Sequence, residues 1–517
     1  MRVGGYCLAM VRIAAATVSE HASRAAQQVA DAGGNAVDSA VAASIAGMVS
    51  EPGVVSLGGG GFLTIWPSDG APTTIDGYAA MPGRGQDPSR FGGGVFDAWM
   101  AYGGGMTTTV GHGSVAVPGA FSACEAAVER YGAVPWETVV APAIELADGG
   151  FPMSMASYRY LSHCHDTIFG WHEPSFKALH SEGGALIEPG GTVRIPDLPD
   201  SLRAIATKGA EVFYRGWLAR LIVDDMDAGG GLLTLEDLAS YQVETRLPLH
   251  VRTGGWDVAT NPPPAVGGTT LTALLLLMSG EPRGSWTRGA LSRLVAAQRA
   301  VFEYRRDRLD PSDDLGNDAG ALLEAIERVG PGWALRSPST IHTSVVDSDG
   351  LACAATFSAG YGSGVMPPGT GIWLNNSLGE LELNPNGLHS AAPGERLLSN
   401  MAPTVARTAD GAVVAIGSPG ADRITTAILQ SFLNFSNLEM SLPDAIEQPR
   451  IHVELSSEGP RVAFEPGVEL GPIELPTRPF DHPDMFFGGV AAAALHPDGT
   501  LEAGVDPRRS GHALVTG

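Results

Sequence analysis

The chain has 517 residues, 44% hydrophobic and 17% charged, which suits a globular protein too long for one simple core and implies two intimately packed layers or lobes. A formal net charge of −24 argues against nucleic acid and anionic membranes as partners, though one local basic pocket could still take an acidic small molecule. Glycine supplies 68 of the 517 residues, well above the usual ~7%, in short clusters without a collagen-like period, so many tight turns and close backbone approaches are expected.

In chain order, Arg12 interrupts the first apolar run, which makes a poor signal peptide. No apolar run reaches the ~18 residues of a membrane span. With Cys7, Cys124, Cys164 and Cys353 showing no metal or disulfide spacing, a cytoplasmic setting with buried thiols is expected. Ser19 to Ala32 reads as a helix stopped by Gly33-Gly34, and Asn35 caps an almost wholly apolar helix from Ala36 to Met48. Such a helix belongs at the centre of a fold. Gly58 to Gly61 lead into a strand at Phe62–Trp66, with Thr73–Asp76 as its hairpin partner. The glycine run has no following Lys-Ser/Thr pair, so close packing near a site is preferred to nucleotide binding.

Phe121 to Gly150 and Asp197 to Leu238 are mainly helical, Val243 to Thr260 strand-like, and Asn261-Pro-Pro-Pro264 a rigid extended segment. Helices follow at Thr269–Met278 and Ala290–Arg308, then a loop–helix–loop stretch from Asp310 to Ser337 whose helix is Ala321–Val329. His163, His165 and His172 lie near Cys164 and Asp166, but without a helix or strand frame they read as a loop near a pocket rim. No metal and no cofactor are implied.

Thr340 opens an alternating run to Val346, and Asp347-Ser-Asp-Gly350 turns the chain into a second run from Leu351 to Phe357. Pairing Val346 with Leu351 puts Thr340 opposite Phe357 with Ser358 beside it, and His342 on the same side as Thr340 in a packing or supporting role. Spacing alone makes this a hydroxyl-lined hairpin.

Eight segments in order sharpen that reading: Gly33–Asp38, Leu57–Phe62, Gly113–Gly119, Asn261–Pro264 with Gly267-Gly268, the Thr340 segment, Gly371–Asn376, Ser418–Gly420 and Asp506–Arg508. Together they resemble the gamma-glutamyltransferase family of N-terminal nucleophile hydrolases nearly end to end. The resemblance implies an α+β fold, a four-layer αββα sandwich. It also implies autocatalytic cleavage between Ser339 and Thr340, leaving segments 1–339 and 340–517 associated as one catalytic unit. Thr340 then matches the nucleophile, its new alpha-amine the base, because that amine titrates near ~8, far closer to neutrality than a lysine. Ser358 matches the hydroxyl that assists processing. Gly420 and Ala421 match the turn whose backbone N–H groups hold the oxyanion, provided Ala421 has a conformation open to non-glycine residues.

The substrate clamp departs from the family pattern. Tyr78 stands where transferring members hold a carboxylate with arginine, and a phenol supplies neither charge nor a bidentate fork. Gly360 replaces an asparagine, and Ser399 and Asn400 stand for paired serines. Glu380 replaces a shorter acid while keeping its charge, and Asn376 completes the expected cleft around Thr340. Arg84 or Arg423 could rebuild the clamp from another direction. The segment from Glu380 to Ser399 is shorter than the family's lid, which favours water as acceptor.

The expected function is hydrolysis of an acyl or amide bond through an acyl-Thr340 intermediate, with a small-molecule substrate and water as partners. Two alternatives stay open. One is carbon–carbon hydrolysis releasing an oxalyl-type group in the biosynthesis of 4-alkyl-proline antibiotics, and the other a true gamma-glutamyl enzyme with a rebuilt clamp. A non-catalytic binding role fits poorly with Thr340, Ser358 and the Gly420 turn all present, and homo-oligomerisation stays open.

Overall fold

The structure is a computed structural model that describes residues 11–101, 105–328, 340–456 and 459–517. Cys7 and Ser339 lie outside the described residues.

Seven antiparallel strands form one sheet in the order His512–Val515, Ile13–Thr17, Ile341–Asp347, Ala352–Ser358, Gly60–Trp66, Thr73–Gly77, Glu244–Arg246. Six form a second: Leu501–Val505, Ala491–Leu495, Val413–Gly417, Thr404–Thr408, Trp256–Thr260, Leu249–Thr253. Residues before and after Thr340 contribute strands to both sheets.

Alternation along each strand decides what lies on either face. In the first sheet Ala14, Val346, Ala352 and Ala354 point to the second sheet, meeting Ala259, Val405, Ala415 and Ala493. Their neighbours Ile13, Ala15, Val345, Cys353 and Ala355 point the other way, into a core shared with helices Glu20–Asp31, Ala36–Ser50, Ala120–Tyr131 and Trp136–Gly149. Helices Val266–Leu277, Arg288–Tyr304 and Ile424–Asn437 cover the outer face of the second sheet. The result is helices, sheet, sheet, helices: the four-layer αββα sandwich.

Helix Ala36–Ser50 is buried along its whole length, as its apolar composition requires. Asn35 Oδ1 accepts from the N–H groups of Val37 and Asp38, and Asp38 reaches back to Asn35 N, closing a capping box. The Asp347 carboxylate accepts from Ala36 N at 3.2 Å, tying the start of this helix to the strand that carries Thr340.

The Thr340 hairpin differs from expectation by one residue. Asp347 N donates to Leu351 O at 3.0 Å, leaving a three-residue loop whose last member, Gly350, has φ 84. The Asp347 side chain also accepts from Asp349 N and Leu351 N, which stabilises that shorter loop. Val346 therefore pairs with Ala352 and Ile341 with Phe357, and the same register brings Thr340 opposite Ser358 itself.

Other expectations also shift. Pro263 and Pro264 lie in a turn closed by Ala265 N to Pro262 O at 3.2 Å, not in an extended run, and this turn starts the helix that follows. The helix expected at Ala321–Val329 begins earlier, at Leu315, and is described to Arg328; Val329 lies outside the described residues. The Gly58–Gly61 run packs flat on a neighbouring strand: a Cβ on Gly59 would lie 2.3 Å from Ser358 O, and one on Gly61 2.1 Å from Thr356 O.

Helix Ala36–Ser50 ends at Glu51, which is buried and accepts from the Ser154 and Ser157 hydroxyls at 2.5 and 3.0 Å. That contact fixes the start of helix Met155–Leu161, which lies beside Thr340. Burial raises the Glu51 carboxyl from an ordinary 4.5 to about 7. The folded state therefore holds this proton more tightly than the unfolded chain. Stability from it is full below about 4.5 and is lost as pH rises through about 7. Glu51→Gln removes this titration, so the variant should gain thermal stability over wild type on going from about pH 5 to about pH 8, by on the order of 2 kcal/mol. Melting curves across that range check the sign; a constant difference would rule it out.

Candidate active site

Thr340 is buried, 3% exposed, at the entrance to the strand Ile341–Asp347. It lines a cavity of about 210 Å3, together with Pro419 of the Ser418–Ala421 turn. The sequence reading expected a cleft lined by Ser358, Asn376, Ser399, Asn400, Gly420 and Ala421. None of these borders the cavity; its walls are instead Arg159, Tyr160, His163, Met485, Gly489 and Arg509, among others.

Ser358 ends the neighbouring strand, pairs with Gly60 and accepts from Gly360 N at 3.0 Å through its hydroxyl oxygen. His342 is buried on the strand of Thr340. Its ring nitrogens meet the Thr356 and Ser344 hydroxyls at 2.7 and 2.8 Å. Burial pushes its imidazole down to about 3, so it is neutral and acts as a wedge: a Cβ on Gly417 would fall 2.3 Å from its Cε1. Gly417 leads directly into the Ser418 turn.

That turn is held from both sides. Ser418 Oγ accepts from Gly489 N at 2.9 Å and donates to Pro419 O at 2.6 Å. Gly420 has φ 125, and a Cβ there would lie 2.7 Å from Gly488 Cα, so only glycine fits. Ala421 has φ 67, a left-handed conformation that costs an L-residue ~1–2 kcal/mol, so the conformation is not one open freely to alanine. Strain of this kind is retained where surrounding structure over-determines it. The turn opens helix Ile424–Asn437, whose dipole adds to the field at its start.

Tyr78, Gly360, Asn376, Glu380 and Ser399 do come together, outside the wall of the cavity that Thr340 lines. Tyr78 stacks on Phe62 at 5.4 Å, and its backbone N–H is held by Asp76 at 3.0 Å. Burial raises its phenol well above 10, helped by the nearby Glu380 carboxyl and opposed by the Ser399 and Ser377 hydroxyls. Glu380 is the correction here. Burial, then the charge on Glu382, pushes its carboxyl well above the ordinary range, so its charged form is disfavoured there. Gly360 has φ 62, and a Cβ would meet Asn376 Oδ1 at 2.1 Å and Glu380 Oε1 at 2.3 Å. The longer acid thus occupies the space vacated at position 360. Asn376 Oδ1 accepts from Tyr361 N at 2.6 Å. Glu380 Oε1 and both polar atoms of the Asn400 amide are buried without a hydrogen-bond partner among the described residues.

Neither fallback arginine rebuilds the clamp. Arg84 lies 3.9 Å from Asp237, and Arg423 pairs with Asp422, donates to Phe486 O and covers the Phe486 ring.

The histidines read as a loop near a pocket rim lie in three places. His163 lines the Thr340 cavity. His165 meets His180 at 2.9 Å and Asp166 at 3.0 Å, and His172 joins His112 around Asp225. Helix Met155–Leu161 supplies a frame that the sequence did not announce. Sequence reasoning also missed Arg159 and Arg509. Arg509 follows directly on the Asp506–Arg508 segment, which was a usable signal; nothing in its own neighbourhood marked Arg159.

Residues 22–516 match the family described as gamma-glutamyltranspeptidase. The chain belongs to that family. It is 32% identical over 509 residues to the Acylase ACY 1 proenzyme of Pseudomonas sp. strain SE83, covering 93% of this chain and 89% of that protein. It is 30% identical over 530 residues to the glutathione hydrolase proenzyme of Escherichia coli strain K12, covering 95% and 90%. A cephalosporin acylase from Bacillus halodurans has the same fold, with a TM-score of 0.76 at 24% identity over 98% of this chain and 96% of that one. Membership makes the protein an enzyme whose hydrolytic mechanism is of the threonine-nucleophile type.

Gly420→Ala should lower the melting temperature and cut turnover at least about tenfold, because the turn must move to admit the methyl group. Ala421→Gly keeps the same backbone donor without the strain and should retain activity. Thermal melts and steady-state rates on the pair check this; equal behaviour would detach the turn from catalysis.

Proposed function

We propose that the chain is cut before Thr340 and that the processed enzyme hydrolyses an amide or related acyl compound other than a gamma-glutamyl one. The Thr340 hydroxyl attacks the acyl carbon while the new alpha-amine takes its proton. The oxyanion is held by the Gly420 and Ala421 N–H groups, the proton passes to the departing nitrogen, and water then hydrolyses the acyl ester on Thr340. The two pieces stay together because both sheets contain strands from each.

The observation that carries the substrate reading is what stands buried at the clamp positions: the Tyr78 phenol, and Glu380, whose charged form its burial disfavours. The carboxylate of a gamma-glutamyl group would meet a phenol there in place of a guanidinium, and its ammonium a carboxyl whose ionisation is opposed. The likeness to a protein named an acylase supports the same reading. Water as the acceptor fits a short segment after Glu380 that is tied down by His389, which accepts from Gly92 N at 2.7 Å and donates to Gly113 O at 2.5 Å. We place the enzyme in the cytoplasm, consistent with Cys124, Cys164 and Cys353 being buried free thiols.

Mature protein should run as two pieces on a denaturing gel, the smaller beginning Thr-Ile-His, and Thr340→Ala should remain whole. Activity in a verified uncut preparation would overturn the proposed base. On the processed enzyme, kcat/KM for a gamma-glutamyl anilide should fall about 30-fold or more below that for a simple N-acyl anilide, the equivalent of ~2 kcal/mol of lost ion pairing. The reverse order would restore the gamma-glutamyl reading.

A further inference from the structure

Residues 161–180 fold back on themselves outside the catalytic machinery. Turn hydrogen bonds from His165 N to Leu161 O at 2.7 Å, Ile168 N to Cys164 O at 2.8 Å and Phe169 N to His165 O at 3.2 Å set the frame that presents His165 and Asp166 side by side. His180 ends the helix Glu173–Leu179, its ring stacked on Phe176 at 4.1 Å. His165 Nδ1 lies 2.9 Å from His180 Nε2 and 3.0 Å from Asp166 Oδ1, and the three atoms fall within 4.8 Å of one another. The sequence spacing implied no metal here, because His180 stands fifteen residues from His165. Cys164 is not a fourth member: its thiol is buried and donates to Tyr160 O at 3.4 Å.

Hydrogen bonding alone does not satisfy this cluster. The Phe176 carbonyl only accepts, so His180 Nδ1, 2.8 Å away, carries the proton of the neutral ring and Nε2 presents a lone pair. That lone pair and the Asp166 carboxylate both face His165 Nδ1, which has at most one proton to give. The group of His112 and His172 around Asp225 differs on this point. There Met366 N donates to His172 Nδ1 at 3.4 Å, so the proton of that ring is on Nε2, 3.5 Å from Asp225 Oδ2.

A cation resolves the conflict between the lone pairs. Ligand bonds of ~2.1 Å at right angles separate two donor atoms by ~3.0 Å, which is the spacing found here. An imidazole whose other nitrogen donates to a backbone carbonyl is oriented as a metal ligand is. Two imidazole nitrogens and one carboxylate oxygen suit Zn2+ and its neighbours, whereas Ca2+ and Mg2+ take oxygen. Asp166 is exposed, so further positions open to water. We infer that His165, Asp166 and His180 form a binding site for a divalent transition-metal ion of the Zn2+ kind. An ion held there ties the turn to the end of the helix, close in the chain to His163 on the Thr340 cavity wall. The site takes no part in the proposed acyl hydrolysis and stands apart from it.

Calorimetry with Zn2+ on processed enzyme free of any histidine tag tests the site without turnover. Wild type should bind with a Kd below about 10 μM, and His165→Gln, Asp166→Asn and His180→Gln should each weaken binding about tenfold or more. Asp225→Asn should leave that binding unchanged. Ca2+ at about a hundredfold excess should not displace Zn2+. Zn2+ should also raise the melting temperature of wild type more than that of Asp166→Asn, whose exposed side chain makes misfolding a poor explanation. Circular dichroism verifies that the histidine variants are folded. Absence of binding in wild type, equal binding by the folded variants, or a loss confined to Asp225→Asn overturns the proposal, and displacement by Ca2+ overturns the nitrogen-ligand assignment on which it stands.

Discussion

Ala14, Ala352 and Ala354 on one sheet and Ala259, Ala415 and Ala493 on the other leave little side-chain bulk between the two layers. Close approach follows, and near the site it becomes a direct contact: the His342 ring occupies the place where a side chain on Gly417 would be. That contact joins the strand carrying Thr340 to the strand that delivers the Ser418 turn. A nucleophile and its oxyanion donors come from segments about eighty residues apart, so their relative position depends on how two sheets stack. Stacking on small residues is stiff because interiors this dense tolerate little rearrangement. His342 is neutral under its burial, so it can hold this position without needing a counter-charge.

Much of this was legible in the chain because local rules and the global fold agree. The Asn35 capping box, the apolar helix behind it and the strand Gly60–Trp66 all stand where pattern and cap placed them. The one-residue slip in the Thr340 hairpin has a local cause that a pattern of alternation does not contain. Asp347 uses its side chain to cap the turn, and that shortens the loop. His163 does lie in a loop at the rim of the Thr340 cavity, as its segment suggested, but Arg159 was not legible, since its place on that cavity depends on tertiary neighbours. Charge states were equally hidden. Glu380 looks like an anion in sequence, and only its burial shows that the charged form is disfavoured.

The altered clamp reads as one coupled change. A side chain at position 360 would collide with both Asn376 and Glu380, so the glycine and the longer acid accommodate one another. Burial raises both the Glu380 carboxyl and the Tyr78 phenol, disfavouring charge on either. The unpaired Glu380 Oε1 and Asn400 amide show that this region retains polar capacity. What it lacks is an arginine at position 78. An ammonium recognised there would have to draw charge onto Glu380 against the desolvation that disfavours it.

The charge that does exist near Thr340 is held by an unusual support. Arg508 donates to Glu465, to Asp506 and to the carbonyls of Ile446 and Gln448, while Arg450 donates to the carbonyls of Ile446 and Phe487. Burying two ion pairs is weak evidence of stabilisation, because their desolvation cost rivals their attraction. Their value here is geometric. The network joins the ends of three segments, at Ile446–Arg450, Glu465 and Asp506–Arg508, to one point behind the cavity. Arg509 is the next residue along from that anchor; its stem lies along Gly489, and its Nη2 donates to Met485 O at 3.3 Å, which sets the guanidinium beside the Gly420 turn.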